Sequence, residues 1–423
     1  VTTVTPGDDK PPTAIPESTD LLVVGAGPAG AAAAAHAARR GVDVVLLDAA
    51  VFPRDKTCGD GLTPRAYSAM QTLGMGEFLA DRPHVRGLEL NGWGARRRVP
   101  WPSSPFGAVG SAVSRMELDD AVRRFAVGRG AHMVEGAKAI GVQMTGGRIE
   151  SVTVVRGGQR RQIAATNVIV ADGVRSGLGK SLGRQWHRDT AYGVAARSYA
   201  KSDRSDSEWM GSHLELRGPD GELLPGYGWV FPLGDGLVNV GVGALATGRR
   251  PASMALRPVL ENYARMVSDE WSLTAPPERI TSALLPMGGA VSGVAGANWM
   301  LIGDAAACVN PLNGEGIDYA FETAEAAVSM LESANDYSEA WPAHLRHEYG
   351  AVFAAARRAA GLLTLPQTVP LLGRPGIRSA TLMATVVRVM GNLLTPDDTD
   401  LIARAWRTAG RTASRVESRP PFT

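Results

Sequence analysis

The 423-residue chain reads as an α/β protein with an α+β insertion and a helical C-terminus. Three observations lead there. A short apolar run is followed at once by a glycine turn and an Ala-rich helix. Further apolar runs ending in Asp or Gly-Asp recur up to 250 residues and more downstream. Between them lie alternating patterns of antiparallel strands, which give way after about residue 350 to helical periodicity. At about three times the common domain size, the chain has room for one large or two interleaved domains.

Residues 1–19 are rich in Pro, Thr and acidic side chains and lack the basic and apolar regions of a signal peptide, so they read as a disordered tail. Leu21-Leu22-Val23-Val24 reads as a buried strand, Gly25-Ala26-Gly27-Pro28-Ala29-Gly30 as a tight turn, and the run to Arg39 as a helix. This is also the stretch most like a membrane span, but its glycines, Pro28 and His36 interrupt it. A second apolar run, Val42 to Leu47, ends in Asp48. That spacing suits a dinucleotide: backbone N–H groups and the helix N-terminus approach a pyrophosphate, and the carboxylate on the next strand takes a ribose hydroxyl. FAD and NAD remain equally open at this point.

Composition excludes several classes. With 44 Lys+Arg against 42 Asp+Glu, the net charge of +2 gives no electrostatic case for nucleic acid. Cys58 and Cys308 cannot build a disulfide framework or a four-thiolate zinc site, which fits a reducing, cytoplasmic setting. His344-x-x-His347 lacks further ligands and reads as solvated helix, so no metal is expected. The 50 glycines imply many tight turns and close backbone approaches.

Trp299 to Ala306 is another buried strand that runs into Gly303-Asp304. Pro311-Leu312-Asn313-Gly314-Glu315-Gly316-Ile317-Asp318 then precedes a long helical pattern. With these motifs the chain resembles the FAD-dependent oxidoreductases of the aromatic hydroxylase and geranylgeranyl reductase superfamily. The resemblance implies a Rossmann-like FAD-binding domain of the aromatic hydroxylase type. It places Gly303 and Asp304 on the ribityl chain or pyrophosphate, and the helix start at Gly314, Gly316 and Ile317 against the flavin pyrimidine. A helix N-terminus there suits the negative charge of a reduced flavin. Further cofactor positions implied are Ala139, Asp172 in Ala171-Asp172-Gly173, and Arg115 in a helix with Ser114 as N-cap.

Cys58-Gly59-Asp60-Gly61 lies between Asp48 and the next helix. A small thiol in a glycine turn fits simple burial. The resemblance to prenyl reductases, which carry Cys-Gly-x-Gly against the flavin where hydroxylases commonly have an Arg-rich loop, instead implies that all four residues meet the cofactor and that Cys58 has a chemical role. Tyr227-x-Trp229-x-Phe231 puts three rings on one face of a strand, as a packing surface or a pocket wall. Its likeness to the aromatic signature of geranylgeranyl reductases implies a prenyl pocket. Phe52 to Pro64, Ser212 to Gly243, Ala283 to Asp318 and Arg419 to Phe422 resemble the actinobacterial menaquinone reductase subfamily most closely, which implies reduction of the second (β) isoprene unit of menaquinone.

The expected organisation is then a discontinuous FAD-binding domain over 20–80, 110–180 and 286–350, a substrate-binding domain over 81–109 and 181–285, and a helical region over 351–423. An isolated alkene has no carbonyl to accept charge, so hydride addition needs a proton donor; Cys58 is the first candidate and Tyr227 the second. Electrons are expected from NAD(P)H or a partner reductase. The alternatives are a geranylgeranyl lipid or diphosphate reductase, an FAD-dependent aromatic monooxygenase, and a quinone-binding flavoprotein without turnover. Around Arg374 to Arg388, basic and apolar residues at helical spacing fit either a packed helix or a peripheral contact with the cytoplasmic face of a membrane.

Overall fold

A computed structural model describes residues 14–252, 254–365 and 367–423. Two sheets dominate it. The first has eight strands, and its path runs Ala295–Gly296, Trp299–Leu301, Gln159–Val170, Ser18–Val24, Val44–Leu47 and His132–Val134; the ribbon Lys138–Thr145 with Arg148–Arg156 extends it. From Trp299–Leu301 onward these strands are parallel. Val24, Leu47, Val170 and Leu301 therefore end on one edge, and the loops that follow them become neighbours although up to 280 residues separate them in sequence. Fully buried runs such as Leu21-Leu22-Val23 and Val44 to Leu47 fit a sheet covered on both faces.

The first helix, Pro28–Arg39, packs its alanines against this sheet. Gly25 has a φ of 103°, and a Cβ on Gly30 would overlap the Gly25 carbonyl, so the turn closes only with glycine at both places. The strand before the turn is longer than its apolar run. Ser18 and Thr19 pair with Ala164 and Ala165, and Ala164 donates to the Glu17 carbonyl at 2.8 Å. The expected tail thus ends before Ser18, because strand pairing here uses backbone groups that composition does not reveal. Residues 1–13 of that tail lie outside the described residues.

The second sheet has seven strands in the order Glu278–Pro286, Tyr192–Lys201, Leu237–Ala246, Gly226–Gly234, Trp209–His213, Gly87–Gly92, Ala95–Pro100. One face is closed by the helix Leu256–Val267, whose Tyr263 packs with Val230, Val238, Val240 and Val242. The other face looks toward the motif edge of the first sheet. Helices Ile317–Ser333, Tyr337–Leu345, Ala351–Leu363, Thr368–Gly376, Ala380–Met390 and Leu401–Val416 complete the chain. Phe422 returns to the core, donating its N–H to the Gly289 carbonyl at 2.9 Å.

Candidate active site

One cavity of about 620 Å³ lies between the two sheets and the C-terminal helices. It begins at the glycine turn. Gly27 caps the first helix without a side-chain bond, so N–H groups of that helix face the cavity. A Cβ on Gly27 would lie 3.6 Å from an Arg54 amine and 3.8 Å from one of Arg115. An uncapped helix N-terminus beside two guanidiniums fits a pyrophosphate. Arg115 is held by Asp119 at 2.6 and 2.8 Å; burial opposes its charge, but that pairing outweighs it. Ser114 caps the Arg115 helix as expected.

Asp48 accepts from Ala26 N–H and Ala50 N–H, each at 2.8 Å, which fixes the carboxylate beside the turn with lone pairs to spare for a hydroxyl. Asp304 lines the cavity and pairs with Lys56 at 2.9 Å. Burial pushes its pKa up, but Lys56, Arg115 and Arg184 hold it below the ordinary range. Gly314, Gly316 and Ile317 line the cavity where the helix Ile317–Ser333 starts, again without a side-chain cap.

The structure brings Gly27, Pro28, Ala29, Cys58, Gly59, Asp60, Gly61, Arg115, Asp304, Gly314, Gly316, Ile317, Tyr227, Trp229 and Phe231 to this cavity. Gly25, Gly30 and Gly303 shape the turns behind it. Asp172 does not line it: the carboxylate turns inward to accept from Leu178 N–H at 2.9 Å, and Ala171 and Gly173 face the cavity instead. Ala139 also lies off the wall, on the strand entered through Ala137, whose N–H bonds the Asp48 carbonyl.

The Cys58 loop is bolted to the second sheet. Asn239 donates to the Cys58 carbonyl at 2.9 Å and to Asp60 Oδ2 at 2.8 Å, while its own oxygen accepts from Trp229 Nε1 at 2.9 Å. Tyr199 donates to the same Asp60 oxygen at 2.8 Å. Burial raises Asp60 to about 6 against the pull of these donors. Cys58 Sγ accepts from Asp60 N–H at 3.4 Å, and burial pushes the thiol up, so it stays protonated at neutral pH.

The aromatic row sits beside this joint. Tyr227, Trp229 and Phe231 face the cavity with successive ring centroids 5.8 and 6.2 Å apart, while Val230 points to the opposite core. Tyr227 donates to the Asn313 carbonyl at 2.8 Å, and burial raises its pKa. The far wall is apolar, with Leu88, Leu90, Trp93, Val369, Met383 and Val387.

Sequence reasoning missed Arg54, Lys56, Tyr199, Asn239 and Glu315. For Asn239 a signal existed: Asn239, Gly241 and Gly243 alternate with buried Val238, Val240 and Val242, marking one face that leaves room for the rings opposite. His344 stacks on Trp341 and His347 is exposed, and no group of three or more metal-ligating side chains occurs among the described residues.

This edge geometry is that of a dinucleotide-binding site. Residues 18–335 match the family model described as FAD binding domain. The chain is 55% identical, over 97% of its length and 100% of theirs, to proteins named menaquinone reductase from Mycobacterium tuberculosis. It is 56% identical to the menaquinone reductase of Mycolicibacterium smegmatis over 96% of this chain and 99% of that one. A digeranylgeranylglycerophospholipid reductase from Methanopyrus kandleri is 29% identical over 81% of this chain and 90% of that one. In fold, the chain is similar to a geranylgeranyl bacteriochlorophyll reductase-like protein from Thermoplasma acidophilum, with a TM-score of 0.75, 20% identity and coverage of 93% and 99% of the two chains. The chain belongs to the FAD-binding-domain family that includes these menaquinone reductases. It is an FAD-dependent oxidoreductase.

Proposed function

We propose that the protein saturates one double bond of the menaquinone side chain, in the second (β) isoprene unit. The observation that carries this reading is the continuity of one cavity from the anion-binding turn at Gly27 to an aromatic and aliphatic wall. FAD, when bound and reduced, supplies a hydride. Gly27, Arg54, Arg115, Asp48 and Asp304 would hold its phosphates and sugar portions, and the uncapped helix at Gly316 its ring. The apolar wall accepts the isoprenoid and keeps water from a developing tertiary cation, which water would trap as an alcohol. Tyr227, Trp229 and Phe231 offer ring faces to the same positive charge. The proposal keeps the domain division read from the sequence, with the eight-stranded sheet holding FAD and the seven-stranded sheet shaping the substrate wall. Reducing equivalents come to FAD from NAD(P)H or a partner reductase.

The lipid reaches this cavity from a bilayer. Among the described residues no helix is long and apolar enough to cross a membrane. Leu371 and Leu372 are 72% and 59% exposed on Thr368–Gly376, and Leu372 and Leu382 belong both to the surface and to the cavity wall. Arg374 and Arg378 are exposed nearby, whereas Arg388 is committed to Asp398 and Asp400 at 2.8 Å each. This rim supports peripheral docking on the cytoplasmic face. Flotation with anionic liposomes should recover the protein, and Leu371→Asp with Leu372→Asp should abolish recovery; equal flotation of both would remove the docking. Quinone mass spectrometry of cells with and without the protein tests the reaction. A dihydromenaquinone that depends on the protein supports it, and unchanged quinones overturn it.

A further inference from the structure

Glu315 stands on the cavity wall in the turn before the helix Ile317–Ser333. Its Oε1 accepts from the Thr63 hydroxyl at 2.7 Å. Its Oε2 is shielded from solvent and has no hydrogen-bond partner among the described residues. The turn itself is fixed: Glu315 N–H donates to Asn313 Oδ1 at 2.9 Å, and Asn313 donates to the Met390 carbonyl at 2.7 Å. The carboxyl is therefore a held group with one unspent oxygen in an apolar enclosure, and such an oxygen is costly to leave unpaired unless it carries a proton or meets a ligand.

We infer that Glu315 is the acid that gives its proton to the alkene. The inference rests on the proposed reaction. The Glu315 O–H bond breaks and a C–H bond forms at one alkene carbon. The other carbon takes the hydride that reduced FAD supplies, and the π bond is lost. The carboxylate left behind keeps the Thr63 hydrogen bond and lies beside a helix N-terminus, and it regains a proton from solvent between turnovers.

The neighbours favour this assignment over the other wall acids. Tyr227 spends its proton on the Asn313 carbonyl, and Asp60 accepts from Tyr199 and Asn239, donors that oppose the burial raising its carboxyl to about 6 and so leave it mostly ionised at neutral pH. Protonating an isolated alkene calls for a strong neutral acid, and an unperturbed carboxylic acid exceeds an unperturbed thiol or phenol by several powers of ten. Around Glu315, burial and the nearby Asp318 push its pKa well above the ordinary range, while Thr63 and Arg65 oppose. Arg65 is already paired with Glu322, at 2.8 Å through one amine, so its charge is largely spent there. Tyr227, facing from the aromatic strand, has its own pKa raised, first by burial and then by Glu315.

The test is a single turnover. FAD-loaded enzyme is reduced with dithionite, mixed anaerobically with menaquinone in detergent micelles across a pH series, and followed by flavin absorbance and quinone mass spectrometry. The wild-type rate should fall as pH rises through the Glu315 pKa. Glu315→Gln should keep FAD, react about 100-fold more slowly and lose that limb. Thr63→Val retains the acid but removes a donor to its ionised form, so the limb should move to higher pH. If Glu315→Gln reacts at the wild-type rate with the limb intact, or Thr63→Val leaves the limb in place, the inference is wrong. Should Glu315→Gln fail to hold FAD, the Thr63→Val limb decides alone. A wild-type enzyme that never saturates menaquinone would instead overturn the proposed reaction.

Discussion

The two walls of the cavity are built on opposite plans. The wall on the side of the first sheet carries Lys56, Arg115 and Asp304, with Arg54 close by and paired to Asp119. The wall from the second sheet is a strand face of Tyr227, Trp229 and Phe231, with no charge among the three. The first handles fixed negative charge and needs donors and dipoles; the second handles a hydrocarbon and needs shape. Chemistry between a charged cofactor and an apolar chain requires both, and Asn239 is one place where they are joined, since it binds Cys58 and Asp60 on one side and Trp229 on the other.

Breaking that joint should give the largest effect. Asn239→Leu leaves Asp60 and the Cys58 carbonyl each short of a donor and the Trp229 N–H without an acceptor. Three groups lose a partner, and the expected cost is about 3–5 kcal/mol. The variant should unfold at a markedly lower temperature in calorimetry and hold FAD poorly. A melting temperature within a degree or two of the parent would mean that the walls are held together elsewhere.

Asp60 sharpens the comparison through pH. Its carboxyl is moved from 3.8 to about 6 by burial, so the folded state binds the proton more tightly than the unfolded chain. Stability from this group is therefore full below pH ~4 and is lost as pH rises through about 6, with an upper bound of ~3 kcal/mol. Asp60→Asn should flatten urea-measured stability between those limits. An unchanged slope in that window would show that Asp60 titrates alike in both states.

The polar wall was legible in the sequence because each of its parts is local. Gly25 to Gly30, Asp48 and Gly303-Asp304 each carry their signature in a few residues, and parallel strands ending on one edge bring them together. The aromatic wall was legible as a row of rings, but not its fastening. Asn239 reaches Cys58 across 181 residues, and Lys56 reaches Asp304 across 248, contacts that no local pattern contains. Glu315 was visible within its motif, yet its hydrogen bond comes from Thr63 on another element, 252 residues away. Asp172 lies off the wall for a related reason: the Ala-Asp-Gly motif does sit at the edge, but the side chain serves the turn at Leu178 while its neighbours face the cavity.

A probe confined to the polar wall should do less. Asp48→Ala removes the carboxylate proposed for the ribose and also the acceptor of the Ala26 and Ala50 N–H groups. FAD affinity should fall by about 1.5–3 kcal/mol, roughly 10- to 150-fold, with the aromatic wall unaffected. Isothermal titration of the apoprotein reads this directly, and parental affinity would take Asp48 out of the site.

The smallest effect is expected at Cys58, where the two walls meet. Its carbonyl, not its thiol, accepts from Asn239, and its Sγ accepts from Asp60 N–H. A serine oxygen can accept the same N–H bond, so loop and FAD should survive Cys58→Ser. If Glu315 carries the proton, the thiol serves packing and orientation, and losing its larger, softer sulfur should slow single-turnover reoxidation by less than about tenfold, under ~1.4 kcal/mol in the barrier. The alkaline limb set by Glu315 should stay in place. A much larger loss with FAD content intact would return the donor role to the thiol, because a hydroxyl with its far higher pKa is the poorer acid. The pH limb separates the cases: a thiol donor would carry its own limb, and Cys58→Ser would abolish it.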